Sequence, residues 1–261
     1  MLYFPQLSSG ATGQFPIQKT RTARTIVNQS VQDYEIKLAD PGAATTEWQI
    51  SFAEMNDQEL AALEALFQAT EGRLTSFTFV DPTDNLLSWS QEQNQAVWQA
   101  DPLLALTAGI ADPMGGTGAF QVTNTALAVQ VLQQSIAAPA SLKYCLSVYA
   151  RSEQTTQLWL VRGSEMIAYT ISPEWVRLTS AGQLSSEGDS ISFGIALNPG
   201  TTVDVFGTQV EAQPGASLYK QTAETGGVYP NARFRDDVMT IATVGPNRHS
   251  CQMNIINVEY L

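Results

Sequence analysis

The sequence predicts a mainly β protein with one α-helix: a discontinuous β-barrel or β-sandwich domain interrupted by a second, inserted β-sandwich. Three observations predict it. Apolar and polar residues alternate at period two along most of the chain, the pattern of half-buried strands. One stretch alone, residues 56–70, switches to helical spacing. Finally, Asp204–Thr222, "DVFGTQVEAQPGASLYKQT", reads as the closing strand and exit of a β domain, yet more strand-like segments follow it.

The elements follow in order. Residues 1–25 are extended and proline-punctuated, and Pro5 and Pro16 exclude a helix there. Strands are predicted over about 19–28, 31–39 and 46–53, with "DPG" at 40–42 as the turn between the last two. In the third, Trp48, Ile50 and Phe52 share one face. Asn56 then stands as an N-cap with Glu59 three residues on, the spacing of a capping box. Leu60, Leu63 and Phe67 fall on one helical face with Leu66 beside them, and Gly72 ends the helix. "LTSFTFVDP" is a further strand.

Beyond Asp84 the texture changes. Strands are predicted at about 97–100, 103–109, 117–124, 127–136, 143–151, 156–162, 166–171, 174–180, 190–197 and 202–211, several separated by Pro or Gly turns. That spacing predicts a two-sheet sandwich. Residues 238–244 and 250–259 read as a hairpin around "GPNRH". A lone hairpin is marginal in water. The sequence therefore predicts that 1–84 and 223–261 complete one domain, and that 85–222 is inserted into it.

Composition narrows the function. Hydrophobic residues make up 44% and charged ones only 15%, against about a quarter charged in average soluble proteins. Net charge is −12 and is spread, with five Lys/Arg against eleven Asp/Glu in 1–84, five against ten in 85–222 and three against four in 223–261. No basic stripe is present for phosphate-driven nucleic-acid binding. Two distant cysteines, Cys145 and Cys251, form no CxxC pair and are expected as separate buried thiols, with one long-range disulfide as the alternative. No apolar run approaches a membrane span and no basic-then-apolar leader opens the chain, so a soluble protein is expected.

Enzyme signatures are sparse, and no cofactor is expected. His249 is the only histidine, no Gly-x-Ser-x-Gly elbow accompanies it, and a solvated turn position is expected for it. Two Cys and one His in no finger spacing exclude a zinc site. "GGTGAF" at 115–120 lacks the Lys and Ser/Thr of a phosphate loop. Adjacent Asp236 and Asp237 would point to opposite faces of a strand, which argues against a shared glycosidase site. Asp112, Glu187 and Asp189 offer oxygen ligands for calcium, but in no recognisable ligand loop.

Two resemblances add to this reading. "YFPQL…G…FPIQKTRTARTIVN", the Trp strand and helix through "GRLTSFTFVDPTDN", and the return "NARFRDDVMTIATVGPNRHSCQMNIINVEY" resemble the distal-tail and tail-tip adaptor proteins of tailed phages and gene-transfer-agent-like particles. "NLLSWSQ…W", "YCLSVYAR", "EWVRLT" and above all Gly207, Gln209, Glu211, Tyr219 and Thr222 resemble jelly-roll, galactose-binding-like carbohydrate-binding modules of phage tail proteins. The first resemblance implies a virion-tail structural protein, assembled in the bacterial cytoplasm. It would form a homo-hexameric ring between the tail tube protein and the hub or fibre proteins, with DNA passing through the lumen without specific binding. The second implies an outward sandwich that contacts host surface polysaccharide or other tail proteins. The alternative functions are an adhesion module for host attachment and a tail-borne glycan-degrading enzyme.

Sugar binding needs aromatic faces and convergent polar groups. Trp159, Tyr169 and Trp98 are the candidate glycan contacts, with Trp175 and Tyr149 as further aromatics, and packing is the competing role for each. Trp159 alternates with Leu158 and Leu160, so it faces outward if those leucines face the core. Arg21, Arg24, Arg233 and Arg235 are expected either to pair with acidic groups of a neighbouring subunit or to be solvated.

Overall fold

The computed structural model describes residues 1–184 and 188–258. Strand β1 (Gln14–Gln29) pairs with β2 (Glu35–Met55), helix α1 (Asp57–Ala69) follows, and β3 (Phe77–Val80) closes the first part. Ten strands come next: β4 (Gln99–Ala100), β5 (Leu104–Ile110), β6 (Ala119–Asn124), β7 (Gln130–Ile136), β8 (Lys143–Arg151), β9 (Thr156–Arg162), β10 (Glu165–Ile171), β11 (Val176–Gln183), β12 (Ile191–Leu197) and β13 (Thr202–Glu211). The chain ends with β14 (Val228–Phe234), β15 (Ile241–Gly245) and β16 (Arg248–Val258). Two compact units result, one of residues 1–8, 13–79 and 229–261, the other of residues 9–12 and 80–228. Ser9–Thr12 thus cluster with the second unit, away from their sequence neighbours.

In the first unit the sheet runs β1-β2-β16-β14-β3, with β15 hydrogen-bonded to β16. The path is open, so among the described residues no barrel closes. Helix α1 forms as its local signals dictate. Asn56 accepts from the backbone N–H groups of Gln58 and Glu59, and the Glu59 carboxylate accepts from the Asn56 N–H, completing the capping box. Gly72, at φ +65°, turns the chain out of the helix. Leu63 and Leu66 are buried, and Phe67 packs against Phe234 at 5.3 Å between ring centres. Trp48, Ile50, Phe52, Phe77 and Phe79 fill the core beneath.

Two local expectations fail here. "DPG" is no turn: β2 runs through Pro41 and Gly42, and the reversal lies at Ser30–Tyr34, where the Ser30 N–H donates to the Tyr34 carbonyl. The pairing steps from Thr22↔Thr45 to Arg24↔Asp40, so the extra residues bulge from β2 while both flanks keep their partner. His249 is no solvated turn residue either. It lies in β16, its Nε2 is 2.7 Å from an Asp57 carboxylate oxygen and its Nδ1 is 3.0 Å from the Thr243 hydroxyl, joining hairpin to helix. The arginines are occupied within the chain: Arg24 pairs with Asp40, Arg235 with Glu47, and Arg233 donates to the Leu74 carbonyl. Asp237 likewise holds Arg73, and Asp236 accepts from Asn254.

The second unit is a sandwich of two five-stranded antiparallel sheets, β10-β9-β12-β7-β4 and β11-β8-β13-β6-β5. Alternation decides which side chains fill it. Leu158 and Leu160 on β9, Ile195 and Leu197 on β12, Leu146 and Val148 on β8 and Val203 and Val205 on β13 all enter one core. The alternate positions of β8 and β13 lie on the opposite face of their sheet, where Cys145, Ser147 and Phe206 are also buried. Both cysteines are free and buried, and burial pushes each thiol up to about 11, which leaves them unreactive at neutral pH.

The Asp204–Thr222 stretch forms a latch on this sandwich. Gly207 sits at φ +62°, where the β13–β8 register shifts, and a Cβ there would meet the Tyr219 ring at 3.1 Å. The flat approach of that ring needs glycine. Gln209 accepts from the Lys220 N–H at 2.7 Å, and Glu211 from the Ser217 N–H at 2.8 Å. The Tyr219 hydroxyl, whose pKa burial pushes up to about 12, lies 2.8 Å from the Ser90 hydroxyl. Thr222 donates to the Leu87 carbonyl at 2.6 Å. Asn85 completes the latch, donating to the Thr208 and Lys220 carbonyls and accepting from the Val210 and Leu87 N–H groups. Entry and exit of the unit adjoin: the Asp81 N–H donates to the Gly227 carbonyl at 2.8 Å.

Candidate functional site

The candidate aromatics do not converge. Trp98 is buried, 6% exposed, and donates its indole N–H to the Trp89 carbonyl at 3.0 Å, so it is a core residue with no face for a sugar. Tyr169 is half-buried against the core and donates its hydroxyl to the Thr179 carbonyl at 2.6 Å. Trp159 is half-buried between two fully buried leucines and sits on the outward face of β9, opposite Ala196 and Ala168. It lies on the other sheet from the site described next.

That site is a cleft of about 510 Å³ in the second unit. Its floor comes from the outward face of β6, β13 and β8. Gln121, Asp204 and Arg151 stand directly opposite one another across these three strands. They bond as a row: the Gln121 amide lies 3.3 Å from one Asp204 carboxylate oxygen, and the Arg151 Nε donates to the other at 2.9 Å. One step along, the hydroxyls of Thr123 and Thr202 are 3.0 Å apart. The walls are two loops. Residues 152–155 join β8 to β9, and residues 198–201 join β12 to β13. Ser152 ties the loops' bases together by donating to the Thr202 carbonyl at 2.8 Å.

Aromatics border this floor. The Arg151 guanidinium lies over the Trp175 ring at 4.8 Å, a cation–π contact that fixes both. Tyr149, two residues before Arg151 on the same face, carries Arg177 over its ring at 5.3 Å and packs toward Phe206. Of the aromatics singled out as possible sugar contacts, Trp175 and Tyr149 stand beside the polar row, and Phe206, the ladder partner of Tyr149, adjoins them. The row and the loops combine a carboxylate, amides, hydroxyls and backbone groups around an open space, which is the chemistry of polyol recognition. Asp204 lies inside the stretch that the sequence reading singled out, yet as one face of a strand, and nothing local marked Gln121, Ser152, Gln154 or Thr202.

Glu187 lies outside the described residues. Asp112 is committed to its own loop: its carboxylate accepts from the backbone N–H groups of Met114 at 2.8 Å, Gly116 at 3.0 Å and Gly118 at 2.9 Å. Desolvation works to raise the Asp112 pKa, but the N–H groups of Gly118, Gly116, Met114 and Gly115 outweigh it and hold the carboxyl below its ordinary range. The "GGTGAF" loop is therefore wrapped around an acid and presents no phosphate cradle. Among the described residues, no three of His, Cys, Asp and Glu gather for a metal, and no helix is long and apolar enough to cross a membrane.

No protein-family model matches the chain, and no curated protein sequence matches it. Similar solved structures include the CBM22-1 xylan-binding domain of Paenibacillus barcinonensis Xyn10C, at 15% identity over 51% of this chain and 97% of that one, with a TM-score of 0.40. TmCBM61 in complex with β-1,4-galactotriose is similar at 12% identity over 48% and 97%, with a TM-score of 0.38. The enzymatically active domain of bacteriophage CBA120 tailspike protein 4 is similar at 12% identity over 51% of this chain, which spans 22% of that domain, with a TM-score of 0.39. Likenesses of this size assign neither ligand nor activity to the chain.

Proposed function

We propose that the chain is a non-enzymatic attachment protein whose residues 80–228 bind carbohydrate in the cleft over Asp204. The observation that carries this reading is the Gln121–Asp204–Arg151 row, which sets a carboxylate, an amide and neighbouring hydroxyls in one opening beside Trp175 and Tyr149. Such groups exchange hydrogen bonds with sugar hydroxyls. Glycoside hydrolysis instead uses a facing pair of carboxylates. Asp204 is neutralised by Arg151, and Glu153, the other acid of the lining, is exposed at the rim. A glycan array with the whole protein tests the reading. Asp204→Ala is expected to weaken binding about 10- to 100-fold, the loss of a charge-assisted hydrogen bond or two. An unmodified protein that binds no glycan, or a variant that binds as well as the parent, refutes it.

A second reading concerns the first unit: a ring-forming component of a phage or phage-like tail. The β1–β2 ribbon favours it. Residues 35–40 of β2 pair with β1 alone among the described residues, and Ile26, Val27, Val31, Tyr34, Ile36 and Leu38 are exposed along the ribbon. A two-stranded ribbon is marginal in water, and exposed apolar groups of this density mark an assembly surface. Micrographs of the native particle are expected to show a ring at the tail tip. A particle without one, together with a monomer at high concentration by light scattering, counts against it.

A further inference from the structure

We infer that the cleft selects neutral, hydroxyl-rich glycans and excludes those bearing carboxylates; the inference rests on the carbohydrate-binding reading above. Among the described residues, the lining of the cleft contains Asp204 and Glu153 and no Lys or Arg. The cation that adjoins it, Arg151, is already committed. Its Nε donates to Asp204, and its guanidinium stacks over Trp175. That pairing leaves the charge of Glu153 unbalanced at the rim, on a chain whose net charge is −12. The other lining groups, Gln121, Ser152, Gln154, Thr155, Thr156 and Thr202, are uncharged donors and acceptors suited to hydroxyls.

A uronate entering this space meets the like charge of Glu153, with the one adjoining cation, Arg151, already balanced by Asp204. Desolvating an unpaired carboxylate is costly, and the repulsion adds to that cost. Neutral sugars suffer neither penalty, and their hydroxyls can donate to the Asp204 carboxylate. Glu153 is therefore the charge gate: it is exposed on a loop, so it can be changed without touching the core or the Asp204 row.

The test uses the whole protein and two sets of soluble polymers, neutral glucans, galactans, mannans and xylans on one side and polygalacturonate and alginate on the other. Affinity electrophoresis at low salt is expected to show retardation by at least one neutral polymer and by neither uronate polymer. Glu153→Lys is expected to raise uronate binding about tenfold or more, most strongly at low salt, where screening is weakest. Glu153→Gln should give a smaller rise, read as the ratio of uronate to neutral-polymer binding measured on the same variant. Uronate binding by the parent as tight as neutral binding overturns the selectivity while leaving the sugar site standing. So does a Glu153→Lys variant, folded by circular dichroism, whose uronate binding does not change. Failure to bind any polymer overturns the sugar-site reading and the selectivity with it.

Discussion

Replacing Glu211 by alanine is expected to destabilise the 80–228 unit by about 2–4 kcal/mol, the loss of buried hydrogen bonds to a charged acceptor. The Glu211 side chain is fully buried. It accepts from the Gln209 amide at 2.7 Å, the Gln213 amide at 2.9 Å and the Ser217 N–H at 2.8 Å, and it pairs with Lys220 at 3.3 Å. Alanine removes the acceptor of the Ser217 N–H and the Gln213 amide and leaves the Gln209 amide only its longer bonds to the Ser217 and Leu218 carbonyls, and each orphaned group costs about 1–3 kcal/mol if it stays buried. The sum is not additive, because the exit segment is free to peel away and reach water. Peeling would also cut the Tyr219 and Thr222 contacts to Ser90 and Leu87, and with them the anchoring of the entry segment. Glu211→Gln keeps the shape and one acceptor, so it should cost about 1–2 kcal/mol. Urea titration followed by circular dichroism measures both. A Glu211→Ala change under about 1 kcal/mol would mean the exit is held by something other than this carboxylate.

Trp48→Ala is expected to cost the other unit about 3–5 kcal/mol, the range for emptying a buried aromatic site. Trp48 is 1% exposed and lies on β2, where its backbone position is flanked by Lys19 of β1 and Ile255 of β16. Its ring packs on Phe79 at 4.9 Å and on Tyr229 at 4.6 Å, with the Lys19 ammonium 5.6 Å from its centre. Strands on both sides resist collapse, so the cavity stays open and the penalty is near the full transfer and packing loss. Against a typical domain stability of about 5–15 kcal/mol, that is a third or more. The same urea titration should show the transition of this unit move while that of the 80–228 unit holds its midpoint. A loss under about 1.5 kcal/mol would place the ring at a site that readily repacks.

What was legible in the sequence is what local chemistry decides. The helix was readable because its cap, Asn56 with Glu59, and its apolar face lie within one short stretch. Strands of the sandwich were readable because burial on one face forces alternation, which also told that Trp159 would turn outward from Leu158 and Leu160. Where local signals and pairing disagreed, pairing won. Pro41-Gly42 carries turn chemistry, but β1 is long enough to hold β2 on both sides of it, so the dipeptide became a bulge. Strand β14 escaped notice because Pro230 interrupts its pattern and only Arg233 and Phe234 are ladder partners of β16.

The sequence by itself therefore determined the β class, the single helix, the acidic and unstriped surface, and the singularity of the Gly207–Thr222 stretch. Only the tertiary structure decided what that stretch does, since its partners Asn85, Leu87 and Ser90 lie more than a hundred residues away. It also decided the cleft, because Gln121 and Arg151 reach Asp204 across separations of 83 and 53 residues. The reason is physical: periodicity records which face of a strand meets the core, whereas a polar site on the opposite face is made by the register between strands, which no single segment carries.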